Sequence, residues 1–356
     1  MLLNETIFLT GFPGFIAGRL VRRLAIDGAR FLLLVQPTFA DRARTDVTRI
    51  AEETGAPAEN FRLVEGDITH PNLGLTQSDL ELARRETTKL FHLAAVYDLG
   101  VARELAMRVN VEGTRHVNDF ARMLPNLRRY DYVSTCYVAG LRTGSIREDE
   151  LRHTAGFRNY YEETKYLAEL EVETLKAELP VTVYRPAVVC GDSGTGETAK
   201  YDGVYYLINY LRRQPSLLSL VNIGNRDVRL NVVPIDFVVE AMAVLAQDDR
   251  AAGATVQLAD PAPLSTHQLF EVISRSLAGH GSRLTVPAPL VRTTLKLPVA
   301  ESVTGLPRVG APYFFLNQTY DTTRAGSLLG PHGVTCPPFT SYVDVLVQFV
   351  ARHPKL

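Results

Sequence analysis

Hydrophobic and polar positions alternate with two different periods along the first half of the chain. Short apolar runs typical of buried strands alternate with longer segments whose apolar residues recur at helical spacing. The predicted strands are residues 7–10, 30–35, 61–64, 89–95, 130–135 and 181–190, and the predicted helices are residues 14–26, 40–53, 104–123 and 160–178. This order predicts an α/β fold with a doubly wound parallel sheet of the Rossmann type.

The pattern becomes less regular after Gly191. A polar loop at 192–200 leads into a tyrosine-rich helical segment at 201–213. The later predicted elements are a strand at 228–233, helices at 235–246, 265–277 and 342–350, and a proline-rich region between 281 and 340. We therefore predict a main domain of residues 1–190, to which 228–250 returns, and a smaller C-terminal cap formed by 191–227 and 251–356.

Composition and charge narrow the class of protein. The formal net charge is −1 and no long run of one sign occurs, so the sequence predicts no nucleic-acid partner. Cys136, Cys190 and Cys336 lack the spacing of a metal site and indicate buried thiols in a reducing compartment. The N-terminus has no basic region before its first apolar run, and no apolar stretch is long enough to span a bilayer. We expect a cytoplasmic protein without a metal or a membrane span.

A glycine-rich turn joins the first predicted strand to the first predicted helix. In Thr10-Gly-Phe-Pro-Gly-Phe-Ile-Ala17, Gly11 permits a tight turn, Gly14 lets the backbone approach a pyrophosphate, and Ala17 is small enough for helix–strand packing. The helix offers free N–H groups and the positive end of its dipole to an anion. The sequence thus predicts a dinucleotide cradle, with Gly11, Phe12, Pro13, Gly14, Phe15 and Ile16 as cofactor-binding residues.

The end of the second predicted strand bears on the choice of cofactor. Gln36 stands where an Asp or Glu would bind the ribose of NAD and repel a 2′-phosphate. Arg42 and Arg44 follow shortly, and a guanidinium there is able to pair with that phosphate. The pattern favours NADPH over NADH. In the alternative interpretation, both arginines lie on a solvated face of a helix.

Other strand ends supply further candidate contacts to the cofactor. They are Asp67 and Ile68 after the third strand, Ala94 and Ala95 at the end of the fourth, and Pro186, Val188 and Val189 in the sixth. Asp67 can accept a hydrogen bond from the adenine amino group, with Ile68 against the ring, or it simply caps a turn. The small alanines let the backbone pass close to the cofactor, and the two valines are expected to pack on the nicotinamide. The carboxyl ends of parallel strands share one edge, so we expect these residues to converge.

Tyr161 and Lys165 are four residues apart at the start of a predicted helix, which places them on one face. An ammonium one turn from a phenol stabilises the phenolate and lowers the pKa of the tyrosine, so Tyr161 is a candidate general acid. Lys165 can also hydrogen-bond the nicotinamide ribose. Thr135, supported by Ser134, offers a hydroxyl that can hold a developing oxyanion. Asn110 either relays protons to Lys165 through a water or satisfies helix backbone.

These motifs together resemble the extended branch of the short-chain dehydrogenase/reductase superfamily. The matching elements are Thr10-Gly-x-x-Gly-x-x-Ala17, Gly66-Asp67, His92-Leu-Ala-Ala95, Asn110-Val-Glu-Gly-Thr114, Ser134-Thr135, Tyr161-x-x-x-Lys165 and Arg185-Pro186, in the family's order. The resemblance implies an NAD(P)-binding Rossmann domain over residues 1–190, a proton-donating Tyr161 and a ribose-binding Lys165. Ala17 is a mild departure from the family's glycine.

Longer segments around these motifs are similar to thioester reductases and fatty acyl-CoA reductases. They are residues 92–98, 133–140 and 185–197, together with Tyr320-Asp-Thr322, Cys336-Pro-Pro338 and Tyr342. This similarity implies NADPH-dependent reduction of a hydrophobic carbonyl or acyl thioester to an aldehyde or alcohol, with the acyl group carried by coenzyme A or an acyl carrier protein. The cap then binds substrate. The candidate substrate contacts are Tyr97, Ser134, Cys136, Tyr201 and Tyr205, although the tyrosines after residue 200 would equally suit a core-facing helix.

Three other functions fit parts of the same pattern. A ketone or alcohol dehydrogenase of the sterol or flavonoid type would use the same catalytic pair. A sugar-nucleotide epimerase or dehydratase that retains NAD is disfavoured by Gln36 and by the apolar second half. A nucleotide-sensing binding protein without activity is disfavoured because Thr135, Tyr161 and Lys165 are all present.

Overall fold

The computed structural model describes Leu2, residues 5–294 and residues 310–355. The strands in this part of the chain are β1 (Thr6–Thr10), β2 (Arg30–Val35), β3 (Phe61–Glu65), β4 (Lys89–His92), β5 (Arg129–Val133), β6 (Gly144–Ile146), β7 (Val181–Pro186), β8 (Val188–Cys190), β9 (Val221–Asn222), β10 (Val232–Pro234), β11 (Thr255–Leu258), β12 (Leu284–Thr285) and β13 (Gln318–Tyr320).

The helices that connect and cover these strands follow the helical periods of the sequence. They are α1 (Phe15–Ile26), α2 (Ala40–Thr54), α3 (Gln77–Glu86), α4 (Arg103–Ala106), α5 (Gly113–Arg122), α6 (Tyr160–Leu175), α7 (Val204–Arg212), α8 (Pro215–Leu218), α9 (Ile235–Leu245), α10 (Thr266–Ala278), α11 (Ala288–Thr294), α12 (Thr323–Leu329) and α13 (Val343–Arg352). A π-helical turn, Met107–Glu112, joins α4 to α5 and makes them one continuous helix, as the sequence predicts.

Seven of these strands form one sheet in the order β3-β2-β1-β4-β5-β7-β11. Neighbouring strands run parallel, and Thr10 at the end of β1 pairs with Leu34 of β2 and His92 of β4. The chain order reverses between β1 and β4, so a crevice opens outside the carboxyl ends of these two strands. This topology confirms the predicted doubly wound Rossmann-type sheet and locates its ligand-binding edge.

Helices cover both faces of this sheet. On one face, α1 packs against α9 and buries Leu20, Val21 and Leu24 completely. On the other face, Phe120 of α5 packs against Phe8 of β1, with ring centroids 4.7 Å apart. Each such side chain contributes about 1.5–3 kcal/mol by leaving water. The strand ends that border the crevice are therefore held between two packed layers.

A separate core lies beneath the C-terminal part of the chain. It includes Tyr205 of α7, Phe270 of α10 and Leu346 of α13. Ser265 caps helix α10: its hydroxyl accepts from the backbone N–H of Gln268, while the Gln268 side chain accepts from the Ser265 N–H. The short parallel pair β8–β10 also borders this core and connects it to the large sheet.

Some elements differ from the pattern-based prediction. The predicted strand at 181–190 is divided, because Ala187 donates to Leu258 of β11 while Val188 donates to Asn231 on the other side. Helix α3 has no counterpart in the prediction, since it is largely polar and buries only Leu80 and Ala83. Strand β11 joins the large sheet beside β7, although the pattern places residues 251–356 in the cap. Its four residues give too short a pattern to distinguish a sheet edge from a cap strand.

Among the described residues, no helix combines the length and the apolar composition that crossing a membrane requires.

Candidate active site

The glycine turn at the start of α1 forms a close-packed cradle at the crevice. Gly11 has a φ of +95°, and a Cβ there would lie 2.8 Å from the backbone nitrogen of Ala94. The N–H of Gly14 donates to the carbonyl of Gly11 at 2.8 Å, and a Cβ on Gly14 would lie 2.7 Å from that oxygen. Both glycines are thus required by the turn itself, in addition to any ligand.

The residues around this turn fit the pyrophosphate of a dinucleotide. Gly14 has no side chain with which to cap α1, and the first turn, Phe15–Gly18, contains no acidic residue. The N–H groups of a first helical turn have no partner within the helix, and the dipole favours an anion beside them. Phe12, Pro13 and Ala17 are buried behind the turn and fix its position. The predicted role of Ala17 in helix–strand packing agrees with its burial.

Replacing Gly11 with alanine tests this cradle. The new Cβ would press on the backbone of Ala94 in a conformation that L residues rarely adopt, so we expect the Kd for NADPH to rise by about tenfold or more. Fluorescence titration of the bound nucleotide measures the change. Gly18→Ala is the matched control, because a Cβ there meets no described atom within 4 Å and alanine favours the helix by about 0.5–1 kcal/mol. Equal nucleotide affinity in the two variants would contradict the role of the cradle.

Gln36 and Asp67 meet at the ends of β2 and β3. The Gln36 amide donates to one carboxylate oxygen of Asp67 at 2.9 Å, and the other oxygen accepts from the Thr69 N–H at 2.8 Å. Asp67 therefore does cap its turn while it borders the nucleotide edge. The side chain of Ile68 is buried and contacts Gly113 of α5.

Arg42 lies on the outer surface of α2, as in the alternative interpretation. Its side chain is 62% exposed and its nearest carboxylate is Asp46, one turn along, at 3.8 Å. Arg44 is equally exposed and pairs with Asp41. Helical periodicity explains the outcome, because Ala43 and Ile50 take the buried face of α2 and turn these arginines to solvent. Neither guanidinium is fixed at the crevice in this structure.

The other predicted cofactor contacts surround the crevice from two sides. The N–H of Ala94 donates to the Thr10 hydroxyl at 3.2 Å, which holds this segment against β1, and Ala95 is exposed beyond it. Pro186 is buried at the end of β7. Val189 packs against the core that contains Phe12, and Val188 lines a cleft beside the crevice.

Tyr161 and Thr135 come together at the crevice. Tyr161 lies in the first turn of α6, which the Asn159 side chain caps by accepting from the Glu162 N–H. The Thr135 hydroxyl lies near that of Tyr161, close enough to affect the pKa of the phenol. Burial raises the pKa of Tyr161 above its ordinary value, the nearby Thr135 hydroxyl opposes the rise, and the charge of Glu162 adds to it. The phenol therefore holds its proton at neutral pH.

Lys165 does not act on the Tyr161 hydroxyl as the sequence predicts. Its ammonium donates to the Tyr132 hydroxyl at 3.0 Å and to the Val133 carbonyl at 2.9 Å, and the side chain is buried. Burial lowers the pKa of Lys165 to about 8, against the attraction of Glu169. The prediction that this lysine lowers the pKa of Tyr161 is wrong for this geometry, because the side chain turns towards β5. A shared helix face does not fix the direction of the long side chain.

Asn110 is held by protein groups within the π-helical turn. Its oxygen accepts from the Val96 N–H at 2.9 Å and its amide donates to the Thr164 hydroxyl at 3.0 Å. These bonds tie the segment after β4 to α6, next to Tyr161. This arrangement agrees with the structural interpretation of Asn110 rather than with a relay to Lys165.

Ser134 and Cys136, both predicted near the substrate, point into the protein instead. The Ser134 hydroxyl donates to the Glu169 carboxylate, and the Cys136 thiol lies 3.1 Å from the Arg185 carbonyl. Burial raises the pKa of the Cys136 thiol, so it is an inert core residue. Successive residues of an extended chain face opposite ways, which separates Ser134 from Thr135 and turns only Thr135 towards Tyr161.

A cleft opens beside Tyr97 and extends into the C-terminal part of the chain. Its walls are largely aromatic and apolar. They include Tyr97, Leu99, Tyr137, Val188, Lys200, Asp202, Tyr206, Leu230, Tyr313 and Phe314. The Tyr97 ring meets the Tyr161 ring edge-on, with centroids 5.1 Å apart. The predicted substrate contact Tyr97 therefore lies between the cleft and the candidate general acid.

The other predicted substrate tyrosines face away from this cleft. Tyr205 is fully buried and its hydroxyl accepts from the Gly191 N–H at 2.8 Å, while the Tyr201 hydroxyl donates to the His353 carbonyl at 2.6 Å. Tyr206 takes the cleft-facing position, because one residue along a helix rotates the side chain by about 100°. The sequence predicts the helix, but a run of tyrosines does not reveal which face is buried.

Sequence reasoning also missed Asp202 and Tyr313. Asp202 precedes α7, and its single carboxylate in a polar stretch carries no motif. Tyr313 lies in the proline-rich region without a regular pattern, and its hydroxyl donates to Glu162 of α6 at 2.5 Å. A contact between residues as far apart in sequence as Tyr313 and Glu162 leaves no pattern in the residues around either of them.

The parallel sheet, the glycine cradle and the neighbouring Thr135 and Tyr161 are features of the extended short-chain dehydrogenase/reductase class. Residues 9–242 match the family described as male sterility protein, so the chain belongs to that family. The class predicted from the motifs is confirmed.

Relatives and solved structures narrow the subgroup. The fatty acyl-CoA reductase wat of Drosophila melanogaster is 24% identical over 284 residues, covering 69% of this chain and 54% of that protein. This chain thus spans about half the length of that relative. The terminal R domain from the myxalamid PKS-NRPS biosynthetic pathway has a TM-score of 0.82 at 25% identity, over 99% of this chain and 92% of that one. A thiolation-reductase di-domain from an archaeal non-ribosomal peptide synthetase has the same fold, with a TM-score of 0.77 at 16% identity over 99% of this chain and 76% of that one. These findings confirm the predicted thioester-reductase-like subgroup.

Proposed function

We propose that this protein is an NADPH-dependent reductase of hydrophobic acyl thioesters, with Tyr161 as the proton donor. The observation that carries the proposal is the aromatic cleft beside the nucleotide crevice, bordered by Tyr97, whose ring packs against Tyr161. Such a cleft suits an acyl chain at one end and a reacting carbonyl at the other. The similarity to fatty acyl-CoA reductases and to an R domain supports a thioester rather than a ketone or a nucleotide sugar.

The carrier of the acyl group is coenzyme A or a thiolation domain. Besides the fatty acyl-CoA reductase, the relatives include the non-canonical nonribosomal peptide synthetase FrzA of Cladobotryum sp, which is 26% identical over 271 residues, 72% of this chain and 26% of that protein. Both carriers attach the acyl group through a thioester, so the chemistry in the cleft is the same.

Different residues of the chain bind the cofactor, donate the proton and stabilise the oxygen of the reacting carbonyl. The turn at Gly11 and Gly14 would hold the pyrophosphate of the cofactor, and when bound the reduced nicotinamide supplies hydride to the acyl carbon. Tyr161 holds a proton at its hydroxyl, which passes to the carbonyl oxygen as charge develops there. Thr135 stabilises the same oxygen through its hydroxyl. The product of this step is a hemithioacetal, which collapses to an aldehyde and a thiol.

Titration of Lys165 should make kcat/KM for NADPH fall at alkaline pH. Because burial lowers its pKa to about 8, the side chain is an ammonium below that pH and neutral above it. We propose that the ammonium binds the nicotinamide ribose, so kcat/KM for NADPH should fall about tenfold per pH unit once the pH passes about 8. Lys165→Arg, which keeps its charge, should lack this fall. A wild-type profile that stays level to pH 10 would contradict the assignment.

Replacing Gln36 tests the preference for NADPH over NADH. An aspartate at this position would repel a 2′-phosphate and also the neighbouring Asp67 carboxylate, which now accepts from Gln36. We expect Gln36→Asp to lower kcat/KM for NADPH by about tenfold relative to that for NADH. Arg42→Ala should change the ratio little, since that side chain is on the outer surface. An unchanged ratio in Gln36→Asp would mean that the end of β2 does not set the preference.

A substrate panel tests the proposed function itself. Purified protein with NADPH is offered a series of acyl-CoA thioesters, a sterol ketone and UDP-glucose, and oxidation of NADPH is followed by its absorbance. We expect turnover with the acyl-CoA series and none with the other two. Turnover confined to the ketone or the nucleotide sugar would overturn the proposal.

A further inference from the structure

A carboxylate lies on the wall of the cleft close to Tyr161. The Asp202 side chain is only 15% exposed and lines the cleft together with Tyr97. The Tyr97 hydroxyl lies close enough to Asp202 to lower the pKa of its carboxyl group, and the Tyr97 ring packs edge-on against Tyr161. Asp202 is close enough for its charge to raise the pKa of Tyr161. The reacting end of the cleft therefore holds two acids of different strength.

The groups that face Asp202 leave it partly desolvated. The Lys200 ammonium is 3.7 Å from its carboxylate and 59% exposed, and Tyr206 faces it from α7, with Asp98 beyond. Burial raises the pKa of Asp202 above its ordinary value, although Lys200 and the nearby Tyr97 hydroxyl lower it. More of this carboxyl group is protonated near neutral pH than of a solvated aspartate.

The proposed reaction needs two proton transfers at different atoms. Tyr161 serves the carbonyl oxygen, but the thiol that leaves also needs a proton on sulfur, and an alkyl thiolate leaves more slowly than an aryl thiolate because its thiol has the higher pKa. We propose that Asp202 is a second general acid, which protonates the sulfur of the departing thiol. This proposal rests on the proposed thioester reduction.

The transfers balance over one reduction. In the first step the acyl carbon gains hydride and its oxygen gains the proton of Tyr161, which gives the hemithioacetal. In the second step the carbon–sulfur bond breaks and its electron pair goes to sulfur, which takes the proton of Asp202. The hemithioacetal hydroxyl returns its proton to the Tyr161 phenolate as the aldehyde C=O forms. Solvent then reprotonates Asp202 at the mouth of the cleft.

The dependence on the leaving group tests this role. Decanoyl-CoA releases an alkyl thiol, whereas S-phenyl thiodecanoate releases thiophenolate, which needs little protonation. We expect Asp202→Asn to lower kcat with decanoyl-CoA by about 10²-fold, the lower part of the range for general acid catalysis. The rate with the phenyl thioester should stay within about twofold of wild type. Glu163→Gln, which replaces a side chain of α6 that pairs with Arg103, is the control and should leave both rates unchanged.

The ratio of the two rates is measured on one preparation, so partial unfolding of a variant does not change it. If Asp202→Asn slowed the reduction of both thioesters equally, or slowed neither, Asp202 would not be the second acid. Either result would leave thioester reduction itself intact. Failure of the wild-type protein to reduce either ester would instead overturn the proposed function, and this inference with it. At saturating NADPH, the wild-type decanoyl-CoA rate should also fall as the pH rises through the pKa of Asp202, and this fall should persist in Glu163→Gln but vanish in Asp202→Asn.

Discussion

Tyr161→Phe is expected to reduce kcat by about 10²–10⁴-fold, the contribution of a positioned general acid. The phenol is the acid proposed to serve the carbonyl oxygen, and the Thr135 hydroxyl lies near it. The Kd for NADPH should change little, because the glycine cradle is formed by other residues. Steady-state rates and nucleotide titration on the same variant separate the two effects.

Tyr160→Phe is the matched control for that variant. Tyr160 is the preceding residue of α6, and its side chain is 45% exposed. The same loss of a hydroxyl there should leave kcat unchanged. If Tyr161→Phe retained wild-type turnover, or lost NADPH binding together with turnover, Tyr161 would not be the proton donor.

The second large effect concerns stability and involves Glu169 of α6. Its carboxylate is completely buried, accepts from the Arg185 guanidinium at 2.5 and 2.8 Å, and also accepts from Ser134. We expect Glu169→Ala to lower the free energy of unfolding by about 3–5 kcal/mol, because it leaves the buried Arg185 charge without its partner. Urea denaturation followed by circular dichroism measures the loss.

Glu171 offers a comparison on the same helix. It pairs with Arg115 at the surface, where both side chains are partly exposed and screened by water. Glu171→Ala should therefore cost no more than about 1 kcal/mol. A similar cost in the two variants would show that burial of the Glu169–Arg185 pair does not set its contribution.

The fold is largely predictable because its signals are local. Strands β1 and β2 contain the continuous apolar runs Ile7-Phe-Leu9 and Phe31-Leu-Leu-Leu-Val35, and the Gly11 turn combines a strand, two glycines and a helix start in adjacent residues. The pairing of Thr135 with Tyr161 also follows, since both lie at strand or helix ends on the carboxyl edge of the sheet. Parallel topology brings such ends together whatever their separation in sequence.

The remaining contacts of the site depend on the directions in which side chains point, and the spacing of residues in the sequence does not determine these directions. Lys165 and Arg42 have long side chains whose partners are set by packing, and Tyr206 takes the place predicted for Tyr205 through a single step of helical rotation. The wall formed by Tyr313 comes from a segment far along the chain. Contacts of this kind reflect tertiary packing, which a pattern of apolar positions does not encode.

Single-turnover stoichiometry tests the central claim most directly. Protein in excess over an acyl-CoA thioester is mixed with NADPH, and oxidised cofactor and free thiol are both quantified after quenching. We expect thiol to appear only as NADPH is oxidised, and both signals to be suppressed together in Tyr161→Phe. Oxidation of NADPH without release of thiol, or release of thiol without oxidation, would contradict thioester reduction at this site.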